Sequence, residues 1–179
     1  MTTLKELTHS KHSEAESQPF IKSIFKKQVK EADYKDYLYQ LMYMYYKLED
    51  AADSLGIFEG IEEIKRGKLV EMDWIELSNG EPAPKLNDET KAYHDYIESI
   101  KNDKQKILAH VYVRHLGDMY GGQMLAKLLP GSNNMFKFEN IEKCMMGIRK
   151  YLTLDLAEEA NVAFDYNIKM VKPYNGSYN

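Results

Sequence analysis

The most informative stretch of this chain is AHVYVRHLGDMYGGQMLAKLL, residues 109–129. Most of these residues favour a helix, yet three glycines, Gly117, Gly121 and Gly122, interrupt the middle of the run. A glycine destabilises a helix interior by roughly 0.5–1 kcal/mol relative to alanine, so three of them cost about 2–3 kcal/mol. Because that is a large share of a typical domain's net stability, we expect a contact at these glycines to compensate for the loss.

Gly117 and Gly121 are four residues apart, which places both on one face of the predicted helix. A face without side chains allows another group to touch the backbone, and Asp118 adds a carboxylate beside it. Two interpretations remain open: a neighbouring helix that approaches closely, or a flat ligand that lies on the backbone. The adjacent pair Gly121 and Gly122, together with the carboxylate, favours the ligand without deciding between the two.

Helical periodicity dominates the remainder of the sequence, and no segment has the pattern of a β-strand. We therefore predict an all-α fold, a single compact multi-helix domain spanning residues 1–179, with about residues 172–179 as a flexible tail. The predicted helices cover residues 3–10, 11–28 with a break at Pro19, 31–54, one or two short stretches within 60–78, 88–102, 104–129, 139–151, and 154–171 before Pro173.

Composition and charge restrict the class of protein. The 179 residues fit one domain with a sizeable core, and a net charge of −4 argues against general nucleic-acid binding. The single cysteine, Cys144, excludes an internal disulfide and favours a reducing cytosol. Because the sequence has neither an apolar run of about 18 residues nor a signal-peptide core, we expect a soluble, cytoplasmic protein without a membrane segment.

Among the five histidines, His12 is the best candidate for a ligand. Glu16 follows it by four residues, on the same helix face, and can accept the second N–H of a ligating imidazole. The alternative is an ordinary i,i+4 surface pair. A carboxylate-bridged di-iron site needs two Glu-x-x-His units, and the sequence has only one, Glu6 to His9, so we do not expect that site.

One histidine facing a bare helix across a flat gap is the arrangement that haem requires. The opposite helix must come so near the iron that only glycine fits. The sequence itself leaves open whether the two helices face each other.

Three blocks of the chain resemble the haem oxygenase family, and together they cover nearly its whole length. The first, HSEAE at residues 12–16, is similar to the family's H-[ST]-x-A-E segment. The second, HVYVRHLGDMYGGQ at residues 110–123, resembles the family's distal-helix signature and is highly specific. The third, at residues 158–167, is weaker and resembles the family's last helix.

The resemblance implies that haem b lies between a proximal N-terminal helix and a glycine-kinked distal helix. It implies cleavage of haem at the α-meso carbon to biliverdin IXα, carbon monoxide and Fe2+, with consumption of O2 and electrons. By the same resemblance, His12 is the proximal ligand of the iron and Glu16 orients it. The backbone at Gly117 and Gly121 lines the distal face, and Asp118 holds the water that takes part in catalysis.

The resemblance also implies contacts with the haem propionates. Lys5, Tyr112 and Arg149 match positions that make such contacts in the family. His9 stands where a lysine is common, so we expect a weaker or pH-sensitive contact there.

Two further departures motivate an alternative. His115 replaces a usual tyrosine and Tyr120 a usual serine. If His115 supplied a second ligand to the iron, it would block O2, and the chain would be a non-catalytic haem-binding or storage protein. A third hypothesis is a helical relative that handles another ligand, as thiaminase-like proteins do on a similar fold.

The sequence has no hydrophobic anchor after Pro173. In this respect it resembles the soluble bacterial, plastid or cyanobacterial branch of the family, in which ferredoxin is the usual reductant. Reduced ferredoxin is therefore the expected electron donor and a bilin reductase a possible downstream partner, with bilin pigment synthesis or iron release as the role. A lysine cluster near the haem edge either steers the acidic ferredoxin or forms a solvated helix face. Its members are Lys5, Lys11, Lys22, Lys26 and Lys27.

Overall fold

The computed structural model describes residues 1–178. Within that range the chain forms α-helices and short helical turns and no β-strand, which confirms the all-α prediction. The α-helices are α1 (Leu4–Glu16), α2 (Pro19–Phe25), α3 (Glu31–Ser54), α4 (Gly67–Ser78), α5 (Asp88–Ile100), α6 (Lys104–Val111), α7 (Gly117–Leu125), α8 (Ile141–Arg149) and α9 (Ala157–Asn175). None of these helices is both long and apolar enough to cross a membrane.

Helix α3 is the centre of the core. It packs against α4, α5 and α6, and its apolar residues recur every three or four positions. Leu38, Tyr45, Leu48 and Ala52 are fully buried along this face. The observed helix has the predicted range, because a long apolar stripe that is flanked by polar residues leaves little freedom in its placement.

The glycine-containing stretch departs from the single predicted helix 104–129. Helix α6 ends at Val111, residues Tyr112–Leu116 form a π-helical turn, and α7 runs from Gly117 to Leu125. The break in α-helical hydrogen bonding therefore precedes the glycines, which lie inside α7. Such π turns insert an extra residue into a helix and occur often at functional sites.

The N-terminal segment differs from the prediction in its boundaries. The segments predicted as two helices, 3–10 and the start of 11–28, form one continuous helix, α1, from Leu4 to Glu16. Thr3 caps it through a reciprocal capping box with Glu6. Pro19 then occupies the first turn of α2, where its missing N–H costs nothing. Helix α1 packs against α9 and buries only Thr8, so most of its surface remains open.

Helix α9 extends further than predicted. Helix α9 continues through Pro173 to Asn175, so the predicted end at Pro173 is wrong. The side-chain oxygen of Asn175 accepts a bond from the backbone N–H of Phe20, at 3.1 Å. The Tyr178 hydroxyl donates to Asp33, at 2.6 Å. The flexibility of residues 172–179 stays a prediction, and Asn179 lies outside the described residues.

Candidate functional site

One cleft between α1, α2, α7 and α9 collects the residues that the sequence singled out. His12 and Glu16 come from α1, and Gly117, Asp118 and Gly121 from α7. The remaining lining residues are Ala15, Ile21, Phe25, Tyr37, Val113, Arg114, Leu125, Phe164, Asn167, Ile168 and Val171. More than a hundred positions thus separate the two parts that the fold brings together.

His12 is accessible from the cleft. Its side chain is 48% exposed, and its Nε2 atom lies 3.2 Å from Oε1 of Glu16. The ring also contacts that of Phe164, with 5.7 Å between centroids. Because Nε2 faces Glu16 here, Nδ1 is the nitrogen left for a ligand. Ligation through Nε2 requires the ring to turn so that Nδ1 faces Glu16 instead.

The glycines of α7 serve two different purposes. A Cβ atom at Gly117 or Gly121 would meet no atom within 4 Å, whereas one at Gly122 would lie 2.2 Å from Cδ1 of Phe136. Close packing therefore explains Gly122 alone. The open face at Gly117 and Gly121 lies on the cleft, which favours the ligand interpretation of the sequence pattern over the neighbouring helix.

Asp118 is the acidic group on the α7 side of the cleft. The hydroxyl of Tyr45, which is buried in α3, donates to its Oδ2 atom. Loss of hydration raises the pKa of Asp118 well above its usual value, because a desolvated carboxylate is less stable than the neutral acid. The cleft thus contains a carboxyl group that retains its proton more readily than an exposed aspartate.

Two polar atoms in the cleft wall have no hydrogen-bond partner among the described residues. These are Nε of Arg114 and Oδ1 of Asn167, and both are buried. Because buried polar groups are nearly always satisfied, a donor and an acceptor without partners indicate a place for ordered water or a polar ligand. Such atoms, the bare glycine face and an accessible imidazole together fit a flat macrocycle with a metal at its centre.

The residues predicted to contact propionates do not line the cleft themselves. Lys5 and His9 are exposed on α1, seven and three residues before His12, which places them on the same side of the helix. Tyr112 is half-buried at the start of the π turn. Arg149 is exposed at the end of α8.

The two departures from the family pattern lie away from the cleft. His115 is fully buried, and its Nε2 atom lies 2.9 Å from Oε2 of Glu49. The hydroxyl of Tyr120 donates to Sδ of Met145, and the Tyr120 side chain is exposed. Neither is among the described residues that line the cleft, and the bond to Glu49 occupies one nitrogen of His115, so the geometry gives no support to the alternative of His115 as a second iron ligand.

Sequence reasoning missed the roles of Tyr45 and Arg114. Tyr45 is one of fourteen tyrosines and has no local signal that connects it with Asp118. Arg114 belongs to the specific block at residues 110–123, and a cation within an apolar helical run was the signal available.

The fold and the cleft define a class of all-helical proteins. In this class a histidine of the first helix faces the same cleft as a stretch of helix backbone that carries no side chains. A family model described as heme oxygenase matches residues 1–173. The chain therefore belongs to the haem oxygenase family, the enzymes that degrade haem.

Relatives agree with this assignment, and a solved structure agrees with the fold. The heme oxygenase of Pyropia yezoensis is 28% identical over 97% of this chain and 85% of its own length. Heme oxygenase 2 of Rattus norvegicus is 27% identical over 93% of this chain, which spans 62% of that protein. Heme oxygenase-1 of the cyanobacterium Synechocystis, solved in complex with heme, superposes with a TM-score of 0.86 at 23% identity, over 97% of this chain and 91% of that one.

Proposed function

We propose that this chain binds haem b in the cleft between α1 and α7 and cleaves it at the α-meso carbon. The products are biliverdin IXα, carbon monoxide and Fe2+, and the reaction consumes O2 and electrons. One observation carries the proposal: His12 and the open backbone at Gly117 and Gly121 line the same cleft.

His12 is the proposed iron ligand on the α1 side. Glu16, at 3.2 Å, accepts the N–H of the imidazole, fixes the ring and makes the ligating nitrogen a stronger donor. Bound haem supplies both the iron that activates O2 and the carbon that is oxidised.

Gly117 and Gly121 provide close access to the opposite face. Because no Cβ atom projects there, the flat macrocycle can lie against the backbone of α7. A haem held there would supply the iron for O2 activation, and the missing Cβ atoms would let the α7 backbone approach that face of the ring closely.

Asp118 holds and releases a proton beside that space. Tyr45 donates to Oδ2, which leaves Oδ1 to bind water. The raised pKa of the carboxyl, caused by burial, favours a group that can donate as well as accept. Arg114 and Asn167 supply the donor and acceptor that order further water molecules.

We propose Lys5, His9, Tyr112 and Arg149 as the groups around the propionates. Lys5 and His9 share the His12 side of α1, which supports a position near one edge of the ring.

The proposed electron donor is an acidic protein, reduced ferredoxin. Lys22 and Lys26 line a cavity together with Lys30, and this cavity is separate from the haem cleft, which Ile21 and Phe25 line. Among the described residues, none of these three lysines forms an ion pair. Lys11 differs, because its ammonium is 2.7 Å from Asp165.

The fate of the product is part of the same proposal. Biliverdin passes to a bilin reductase for pigment synthesis, or the reaction serves to release iron. We propose a cytoplasmic location for both.

The test is a turnover assay with haemin, ferredoxin, ferredoxin reductase and NADPH. We expect the Soret band to disappear while biliverdin absorbance grows. His12→Ala should lose the spectrum of the histidine-ligated complex, with His94→Ala on α5 as the matched control. An intact Soret band would contradict cleavage and support haem storage, and unchanged haem affinity in His12→Ala would contradict the assigned ligand.

A further inference from the structure

His115 lies behind the cleft and has a fixed orientation. Its side chain is fully buried, and the bond from Nε2 to Glu49 assigns the proton of the neutral ring to that nitrogen. Its Nδ1 atom has no partner among the described residues. Burial lowers the pKa of His115, which favours the neutral imidazole.

Glu49 is itself anchored by the beginning of α4. The backbone N–H of Arg66 donates to its Oε2 at 2.6 Å, and that of Gly67 donates to its Oε1 at 2.8 Å. With the His115 bond, three donors hold this carboxylate. The helix N-terminus favours its negative charge, so Glu49 is a rigid support for the imidazole.

The His115 ring meets Tyr45 in an edge-to-face arrangement. Their centroids are 5.2 Å apart and the planes are inclined by 84°. Phe58 packs on another side of the imidazole at 5.2 Å. The guanidinium of Arg114 lies 5.3 Å from the Tyr45 centroid. Tyr45 is therefore enclosed by His115 and Arg114, and the hydroxyl at its far end donates to Asp118.

We propose that His115 is a positioning residue, which holds the Tyr45 ring so that its hydroxyl donates to Asp118. Glu49 holds His115, His115 packs on Tyr45, and Tyr45 holds the carboxyl at the cleft. The effect of this arrangement on turnover rests on the proposed function, whereas the arrangement itself exists in the protein without haem.

The direct test is a carboxyl-detected NMR titration of Asp118 in the haem-free protein. In His115→Leu, Tyr45 loses its support and Asp118 loses a hydrogen bond that stabilises its charged form, so the pKa of Asp118 should rise further. Tyr45→Phe should produce the same change. His115→Tyr keeps an aromatic ring that can reach Glu49 and should restore the wild-type titration.

A double variant separates positioning from general structural damage. If His115 acts through Tyr45, His115→Leu adds no change to the Asp118 titration in a Tyr45→Phe background. Additive changes, or an unchanged Asp118 in the single His115→Leu variant, would overturn the proposal. If His115→Leu does not fold, His115→Phe replaces it in the same comparison with Tyr45→Phe, and the Asp118 titration is again measured. His94→Leu is the control.

Measurements of turnover separate the positioning role of His115 from the proposed catalytic role of Asp118. We expect His115→Leu to lower kcat about tenfold with little change in KM, because Asp118 does not bind the substrate directly. If the Asp118 titration shifts and turnover does not, positioning by His115 stands, and the catalytic role of Asp118 fails.

Discussion

The affinity of the Asp118 carboxyl group for its proton depends on whether the chain is folded. Loss of hydration raises its pKa in the native protein above the unfolded value of about 3.9. The folded chain therefore binds this proton more tightly than the unfolded chain does. The stabilisation is complete below the unfolded pKa and is lost as pH rises through the folded pKa.

Asp118→Asn should remove this pH dependence. The amide stays neutral and its oxygen still accepts from Tyr45, so the variant should gain stability over the wild type as pH rises above about 4. Each unit between the two pKa values corresponds to about 1.4 kcal/mol. Urea unfolding of the haem-free proteins across pH measures the difference, and a difference independent of pH would contradict the assignment. Turnover should fall in the same variant.

At the residue scale, the sequence predicted the members of the cleft that have a local pattern. His12 and Glu16 share a helix face, and Asp118 accompanies the glycines. Tyr45 and Arg114 were missed because their role depends on the approach of α3 to the π turn. Contacts between distant elements leave no signature in neighbouring residues.

The neighbouring glycines of α7 offer a matched comparison at the scale of the element. A Cβ atom at Gly122 would overlap Phe136, so Gly122→Ala should destabilise the fold by about 1–3 kcal/mol. A Cβ atom at Gly121 meets open space, and alanine should stabilise the helix by up to about 1 kcal/mol.

Haem affinity should respond in a different way. Gly121→Ala adds a methyl group to the surface on which the macrocycle lies, so we expect weaker binding despite the higher stability. Urea unfolding and a Soret titration of both variants measure the two effects. Equal stabilities for the two variants, or unchanged haem affinity in Gly121→Ala, would contradict the division of roles.

Helix boundaries were predicted best where side-chain periodicity alone decides them. The range 31–54 was found from its apolar stripe. The π turn at Tyr112–Leu116 was not, because helix propensity does not specify such a turn. In the structure the turn packs against α9 and contacts Tyr45 of α3. Pro173 was interpreted as a stop, yet it lies in the last turn of α9.

On the scale of the whole molecule, charge on one side of α2 should decide the partner. Lys22→Glu combined with Lys26→Glu should lower ferredoxin-driven turnover about tenfold at low ionic strength, because it removes electrostatic attraction to an acidic donor. Turnover driven by ascorbate should not change. Lys85→Glu combined with Lys91→Glu, two exposed lysines elsewhere on the surface, is the control for the same change in net charge.

The salt dependence supplies the opposing outcome. Added salt screens exposed charges. The difference in ferredoxin-driven turnover between the double variant and the wild type should therefore become smaller as salt is raised toward 0.5 M. A difference that persists, or one that also occurs with ascorbate, would place the defect in the cleft rather than at a docking surface.

The all-α class and the order of the helices followed from periodicity, whereas the meeting of α1, α7 and α9 did not. Local patterns give each helix an apolar side but not its neighbour. The resemblance of residues 12–16 and 110–123 to one family supplied that pairing, and the cleft has both segments in its walls.

The π turn sets the rotational phase of the helix that follows it. With 3.6 residues in a turn, loss of one residue from Tyr112–Leu116 would rotate α7 by about 100° around its axis. Asp118 would then point away from Tyr45, and the glycine face would no longer meet the cleft. The number of residues in this turn therefore fixes the orientation of α7. We expect exchanges of side chains here to be tolerated more easily than a single insertion or deletion. A related sequence with an insertion or deletion at these positions should therefore differ in its chemistry.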